Sequence, residues 1–209
     1  EEELIKAFND NLDIHSLTAS EIFGVPVSMV TSDMRRSAKA VNFGIIYGIS
    51  SYGLAQDLNI SNKQAKEFID KYFESFPKIK DYMKDTISQA KIDGYVKTIM
   101  NRKRVIEELN NSNYMIRSMG ERMALNTPIQ GSSADILKKA MIEIDEKFEE
   151  LNLSSKMILQ IHDELVFDVI KSEVEIVKKI VKEVMENTIK LRVPLLVDIN
   201  VGDNLYEAK

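Results

Sequence analysis

Apolar residues recur three and four positions apart along most of the chain and alternate singly in only a few short places. The first pattern marks helices with one buried face and the second marks half-buried strands. On this reading a helix ends across Leu4–Asn11, a second runs from about Ser16 to Phe23, and Gly24-Val25-Pro26 turns the chain. Thr31-Ser32-Asp33 supplies capping chemistry for a central helix over about 33–47. A short helix over Ser50–Leu58 follows, then a Ser61-capped helix in which Ala65, Phe68, Ile69, Tyr72 and Phe73 repeat as a core face. Pro77 ends that run, and Ile79–Ile92 gives another helix. Tyr95–Ile99 alternates like a strand before the basic turn Asn101-Arg102-Lys103-Arg104. After a polar linker at Leu109–Asn113, a long helical pattern covers Tyr114 to about Leu151, interrupted near Pro128 and Gly131, where the proline predicts a kink. Lys156–Ile161 and Leu165–Ile170 read as strands joined at His162-Asp163-Glu164. A helix over Ser172–Lys190 and a strand over Leu195–Val201 complete the pattern.

The central helix carries two distinct faces. Met34, Ala38, Val41 and Ile45 fall in one apolar stripe at about 100° per residue, an ordinary core-facing surface. Arg35, Lys39, Phe43 and Tyr47 follow one another four residues apart on the other side. From Arg35 to Phe43 the helix rises about 12 Å, similar to the distance from a nucleotide's phosphates to its base. Cations near the helix start suit an anion, which the free N–H groups and the positive dipole end also favour. Gly44 would let a group approach the backbone closely, and Gly48 suits the position just past the helix end. A solvated basic stripe with two half-buried rings accounts for the same spacing equally well.

Composition narrows the class. With 209 residues, 44% hydrophobic and 29% charged, the chain is a globular protein of one or two domains. No apolar run reaches the length of a membrane span, and the acidic start Glu1-Glu2-Glu3 lacks a signal peptide's basic region. Zero cysteines exclude disulfides and thiolate metal sites, in keeping with a cytoplasmic protein. A net charge of −5 argues against simple electrostatic coating of nucleic acid, while 28 Lys and Arg leave room for a locally basic cleft.

Arg35, Lys39, Asn42-Phe43-Gly44 and Tyr47-Gly48 together match the fingers-helix motif of the family A DNA polymerases, and the chain resembles the C-terminal polymerase region of their bacterial members. Three further stretches carry the resemblance. Asp13-Ile14-His15 matches the motif before the fingers helix, although a lone histidine by itself reads as a surface or capping residue. Arg122, Asn126 and Gln130, four apart within ERMALNTPIQGSSADI, match the pattern that meets the primer–template end in the minor groove. Donors aimed at minor-groove acceptors test pair geometry without reading sequence, though an exposed polar face would explain Arg122 alone. QIHDELVFDV matches the second catalytic motif, where an isolated His-Asp-Glu turn would be weak evidence. The final 202–209 segment resembles the family's C-terminus, with Leu205 where a Trp is common. After the basic turn the family's aromatic and proline are replaced by Val105 and Glu107, so that turn is not a site candidate.

The resemblance implies an α+β architecture: a mainly helical fingers subdomain over 1–110, then over 111–209 part of a palm with a small antiparallel sheet flanked by helices. It implies template-directed DNA synthesis in replication and repair, with two magnesium ions assisting attack of a primer 3′-hydroxyl on a deoxynucleoside triphosphate. His15, Arg35, Lys39, Phe43 and Tyr47 would bind the triphosphate, and Lys39 would also protonate the leaving pyrophosphate. Asp163 would bind metal, Glu164 would assist it, and His162 would join Arg122, Asn126 and Gln130 on the primer–template. Phe43, where some relatives carry Tyr, implies discrimination against dideoxynucleotides. Primer–template DNA and nucleotides are the implied partners of a monomeric, nucleoid-associated cytoplasmic enzyme. The family's first catalytic Asp motif, DYSQIELR or close to it, has no counterpart in these residues. The chain alone is therefore expected to be inactive. A non-catalytic nucleic-acid-binding module and a part of a single-subunit RNA polymerase are the alternative readings; Phe43 and the His-Asp-Glu turn favour the DNA enzymes.

Overall fold

The computed structural model describes residues 1–208, so Lys209, the last position of the C-terminal match, lies outside the described residues. The chain divides into two compact units, Glu1–Gly131 and the residues from Ser132 onward.

The first unit is built from helices whose ends the sequence dictates. α1 spans Glu2–Asn9 and α2 spans Ile14–Phe23. The Asp13 side chain caps α2 by accepting from the backbone N–H of His15 and Ser16, so the helix starts two residues earlier than its apolar pattern suggests. α3 spans Ser32–Ile46 with Thr31 as its cap. α4 spans Ser51–Leu58 behind Ser50. α5 spans Asn62–Ser75 with a full Ser61–Gln64 capping box, and α6 spans Pro77–Asp93 with proline in its first turn, where a missing N–H costs nothing. β1 (Tyr95–Lys97) and β2 (Lys103–Val105) form an antiparallel hairpin, and a 3₁₀ turn at Glu107–Asn110 leads into α7, Tyr114–Glu150.

One core joins α2, α3, α4 and α5. It contains Ala19, Ile22, Ala38, Val41, Ile45, Leu54, Ala55, Ala65, Tyr72 and Phe76, with Met34, Phe68, Ile69 and Phe73 packed around it. The expected apolar stripe of α3 is therefore its packed face. Each fully buried aliphatic side chain here contributes about 1.5–3 kcal/mol, which holds α3 rigidly and turns its other side outward. A smaller cluster of Ala90, Val96, Ile106, Leu109 and Ala124 seats the hairpin.

Gly48 adopts φ +70°, the left-handed conformation expected just past the helix end, and its N–H reaches back to Ile45 O. Gly44 makes room for this chain itself. A Cβ there would stand 2.7 Å from Ile49 Cγ2, and one at Gly53 would stand 2.9 Å from Ile49 Cγ1. The close approach expected at Gly44 is thus filled by Ile49, folded back by the Gly48 turn.

The second unit contains the later residues of α7, the antiparallel pair β3 (Lys156–Ile161) and β4 (Glu164–Asp168), and α8 (Val174–Asn187). Ile144, Phe148, Val177, Ile180 and Val181 form its core, with Phe167, Leu165 and Met157 against it. Glu173 ties the start of β3 down by accepting from both the backbone N–H and the hydroxyl of Ser155 and from the N–H of Ser154. Lys139 and Glu143 hold the end of α8 through Thr188.

Two expectations need correction. Leu195–Val201 forms no strand: the segment has no ladder partner, Leu196 and Val201 stay exposed, and Val197 N–H is bound by the Glu186 carboxylate instead. Nor does the long helix break, since α7 runs on through Pro128. Around that proline the Thr127 hydroxyl donates back to Met123 O and accepts from Arg104, while Arg102 donates to Gly131 O. Side chains thus supply local bonds at the place where proline lacks a donor. No helix among the described residues is long and apolar enough to cross a membrane.

Candidate functional site

With Ala38, Val41 and Ile45 packed inward, the helical period leaves Arg35, Lys39, Phe43 and Tyr47 outward, and all four are exposed. Two aromatic rings this open, 45% for Phe43 and 39% for Tyr47, are not core residues. They stack at 12° with centroids 6.3 Å apart. The Lys39 Nζ atom stands 5.9 Å from the Phe43 centroid, and the His15 ring lies 5.8 Å from Phe43, centroid to centroid. Capping by Asp13 sets His15 in the first turn of α2, directed at this face. The five residues expected to meet a triphosphate thus share one continuous surface of cations, imidazole and flat apolar rings.

Three residues bonded to that surface were not among the sequence candidates. Asp13 also accepts from Arg35 Nε, joining the two helices. Both side chains are almost half exposed, so solvent screening limits the pair to at most about 1 kcal/mol. Burial pushes the Asp13 carboxyl upward, but the Arg35 bond and the N–H groups of Ser16 and His15 outweigh it and hold it below its ordinary value. Asn42, on the packed face of α3, is bonded to Thr18 and His15. Burial, joined by the charges of Arg35 and Lys39, lowers the His15 pKa against the opposing pull of Asp13. An asparagine between Ala38 and Ile45 on an apolar stripe was the available signal for Asn42. Thr18 gave none, because its partner lies 24 residues away.

Arg122, Asn126 and Gln130 follow one another along α7. Arg122 and Gln130 are exposed and Asn126 is half-buried. The Arg122 side chain packs beside the turn that ends α3, close enough that a Cβ on Gly48 would lie 3.0 Å from Arg122 Cγ. Asn126 Oδ1 is buried with no hydrogen-bond partner among the described residues, and an unpaired buried acceptor costs on the order of 1–3 kcal/mol. The basic hairpin is engaged locally: Arg102 and Arg104 donate to α7, and Lys97 and Lys103 lie over the Tyr95 ring.

In the second unit Ile161 pairs with Glu164, leaving His162-Asp163 as a two-residue connection. His162 takes φ +53°, a left-handed conformation uncommon outside glycine, and Gln160 Nε2 donates to its carbonyl. His162, Asp163 and Glu164 are all exposed at this tip. Asp163 and Glu164 set two adjacent carboxylates side by side at the tip. Among the described residues, however, no three His, Asp or Glu side chains converge as a metal-binding group, so the donor set falls short of what two ions need.

Comparison with known proteins gives one consistent result. The family model described as DNA polymerase family A matches residues 1–207. DNA polymerase I of Caldicellulosiruptor bescii is 54% identical over all 209 residues, which cover 25% of its own length. DNA polymerase I of Bacillus subtilis is likewise 54% identical, with 24% of its length covered. Among solved structures, the polymerase domain of Pol1 from M. smegmatis, in complex with DNA primer-template and dNTP, matches with a TM-score of 0.88 and 46% identity. That match covers 92% of this chain and 34% of the other. The chain therefore spans about a quarter of the length of the curated relatives it matches.

Proposed function

The chain belongs to DNA polymerase family A, and from that premise we propose that it contributes the nucleotide-binding helix and one catalytic carboxylate to template-directed DNA synthesis. The observation that carries this reading is the single outward face of α3, where His15, Lys39, Phe43 and Tyr47 meet opposite a packed core. A deoxynucleoside triphosphate fits it in one direction: phosphates toward Arg35, Lys39 and His15, sugar against Phe43, base toward Tyr47. In this reading residues 1–110 act as fingers and 111–209 as the later part of a palm.

The reaction is an in-line displacement. The primer 3′-oxygen bonds to the α-phosphorus while the bond from that phosphorus to the bridging oxygen of pyrophosphate breaks. Lys39 would neutralise charge growing on the triphosphate and give its proton to the leaving pyrophosphate. Arg35 would exchange the weak Asp13 pair for a phosphate, to which a guanidinium binds more strongly. Arg122, Asn126 and Gln130 would hold the primer–template end in its minor groove, with His162 near the primer terminus. Asp163, assisted by Glu164, is the carboxylate assigned to a divalent-ion site; two magnesium ions need ligands beyond those the described residues bring together.

The test is magnesium-dependent addition of one templated nucleotide, by this chain alone and by a protein of the relatives' full length that carries it. Activity confined to the longer protein is the expected result. Binding of primer–template by both, with no incorporation by either, would replace this reading with a non-catalytic binding module.

A further inference from the structure

His15 is tied to the core by one side chain. Asn42 is only 7% exposed, and Thr18 beside it on α2 is fully buried. Thr18 Oγ1 lies 3.1 Å from Asn42 Oδ1, and Asn42 Nδ2 lies 3.0 Å from His15 Nδ1. With the amide nitrogen toward the ring it donates and Nδ1 accepts, so the neutral ring's one proton belongs on Nε2. We propose that Asn42 is a positioning residue that fixes His15 as the Nε2–H tautomer, holding a neutral donor toward a phosphate oxygen of the bound triphosphate. This rests on the reading of the α3 face given above.

The hydroxyl of Thr18 decides the orientation of the amide. Its oxygen also lies 2.9 Å from Ile14 O, and it has one proton for two acceptors. If that proton went to Ile14 O, a reversed amide would donate to Thr18 and accept from Nδ1–H, placing the ring proton on the opposite nitrogen. The charges that face the ring are Asp13 from the start of α2 and Arg35 and Lys39 from α3. A reversed amide would accept equally well from a doubly protonated, charged ring. An amide with Oδ1 toward Thr18 opposes a second proton at Nδ1, in keeping with a histidine held below its ordinary pKa first by burial and then by the two cations. Between Arg35 and Lys39 the site already has charge. What Asn42 adds is direction, since a ring with its proton fixed on Nε2 presents one donor at one place.

The chain has two histidines, so its imidazole nitrogens are readily resolved by long-range ¹H–¹⁵N correlation, with His162→Gln assigning the second ring. At a pH where both rings are neutral, His15 should show an unprotonated Nδ1 and a protonated Nε2. Asn42→Asp places a carboxylate at Nδ1 and should invert the tautomer, raise the His15 pKa and weaken deoxyadenosine triphosphate binding by roughly tenfold, about 1.4 kcal/mol. A protonated Nδ1 in the unsubstituted chain, or an even mixture, overturns the inference, and this measurement does not depend on the variant folding. An Nε2–H tautomer that inverts in Asn42→Asp, with no His15 response to deoxyadenosine triphosphate in either chain, upholds the hold of Asn42 on the ring and overturns the triphosphate reading instead.

Discussion

On α3 the polar groups stand on the back of a packed helix: Lys39 and Phe43 are placed by Ala38, Val41 and Ile45 beneath them. At the tip between β3 and β4, Asp163 is placed by a two-residue connection with His162 in a left-handed conformation and every side chain exposed. The first arrangement takes its precision from burial, so a change in the core should disturb it at a distance. The second takes its precision from the strand register and one backbone angle, so core changes elsewhere should leave it alone.

The sharpest way to separate the two is to remove one functional group from each. In a protein of the relatives' full length, Asp163→Ala should cost several kcal/mol of transition-state stabilisation, on the order of 10³-fold in nucleotide incorporation. Its far-UV spectrum and melting curve should stay unchanged, because an exposed turn side chain holds nothing in place. Lys39→Ala should lower incorporation by about 10²–10³-fold while leaving stability within about 0.5 kcal/mol. A stability loss as large as a core truncation in either variant would break the distinction between face and scaffold.

Within α3 the same contrast can be drawn between neighbours. Ile45→Ala should destabilise the first unit by about 2–5 kcal/mol in urea unfolding, whereas Phe43→Ala should cost less than about 1 kcal/mol and act on nucleotide affinity. Smaller still is Asp13→Asn. It keeps a capping oxygen, frees Arg35 from an ion pair worth at most about 1 kcal/mol, and should tighten triphosphate binding by a few-fold in a fluorescence titration. The smallest effect is one of acidity in the second unit. Glu143 is lowered by its bonds from Lys139 and Thr188, and Glu173 by its bonds from Ser155 and Ser154, both from an ordinary value of 4.5. A lowered carboxyl contributes stability above pH 4.5 that is lost as pH falls through its folded value. Thermal melts taken downward from pH 6 should therefore weaken below that point, and less so in Glu173→Gln.

Sequence reasoning reached the α3 face because a helix converts spacing into direction, so Arg35, Lys39, Phe43 and Tyr47 were aligned before any packing was known. The His162-Asp163 turn was legible for a similar reason, lying between two short apolar strands. What escaped depended on partners distant in the chain. Asn42 was visible as an oddity on an apolar stripe, but its pairing with Thr18 and His15 exists only once α2 lies against α3. The strand expected over Leu195–Val201 failed for the same cause, since alternation offers a strand and only a neighbour makes one. At Gly44 the space was legible and its occupant, Ile49, was not named.

That last point reaches beyond the folded state. Ile49 is pinched between two glycines whose added carbons would each stand inside 3.0 Å of it. In the vocabulary of inheritance, positions 44, 49 and 53 behave as one three-letter word. A lineage that enlarges either glycine first meets a lesion, whereas one that first shortens residue 49 passes through a tolerable spelling. The order of substitutions at this elbow is thereby constrained: residue 49 has to shrink before either glycine can grow.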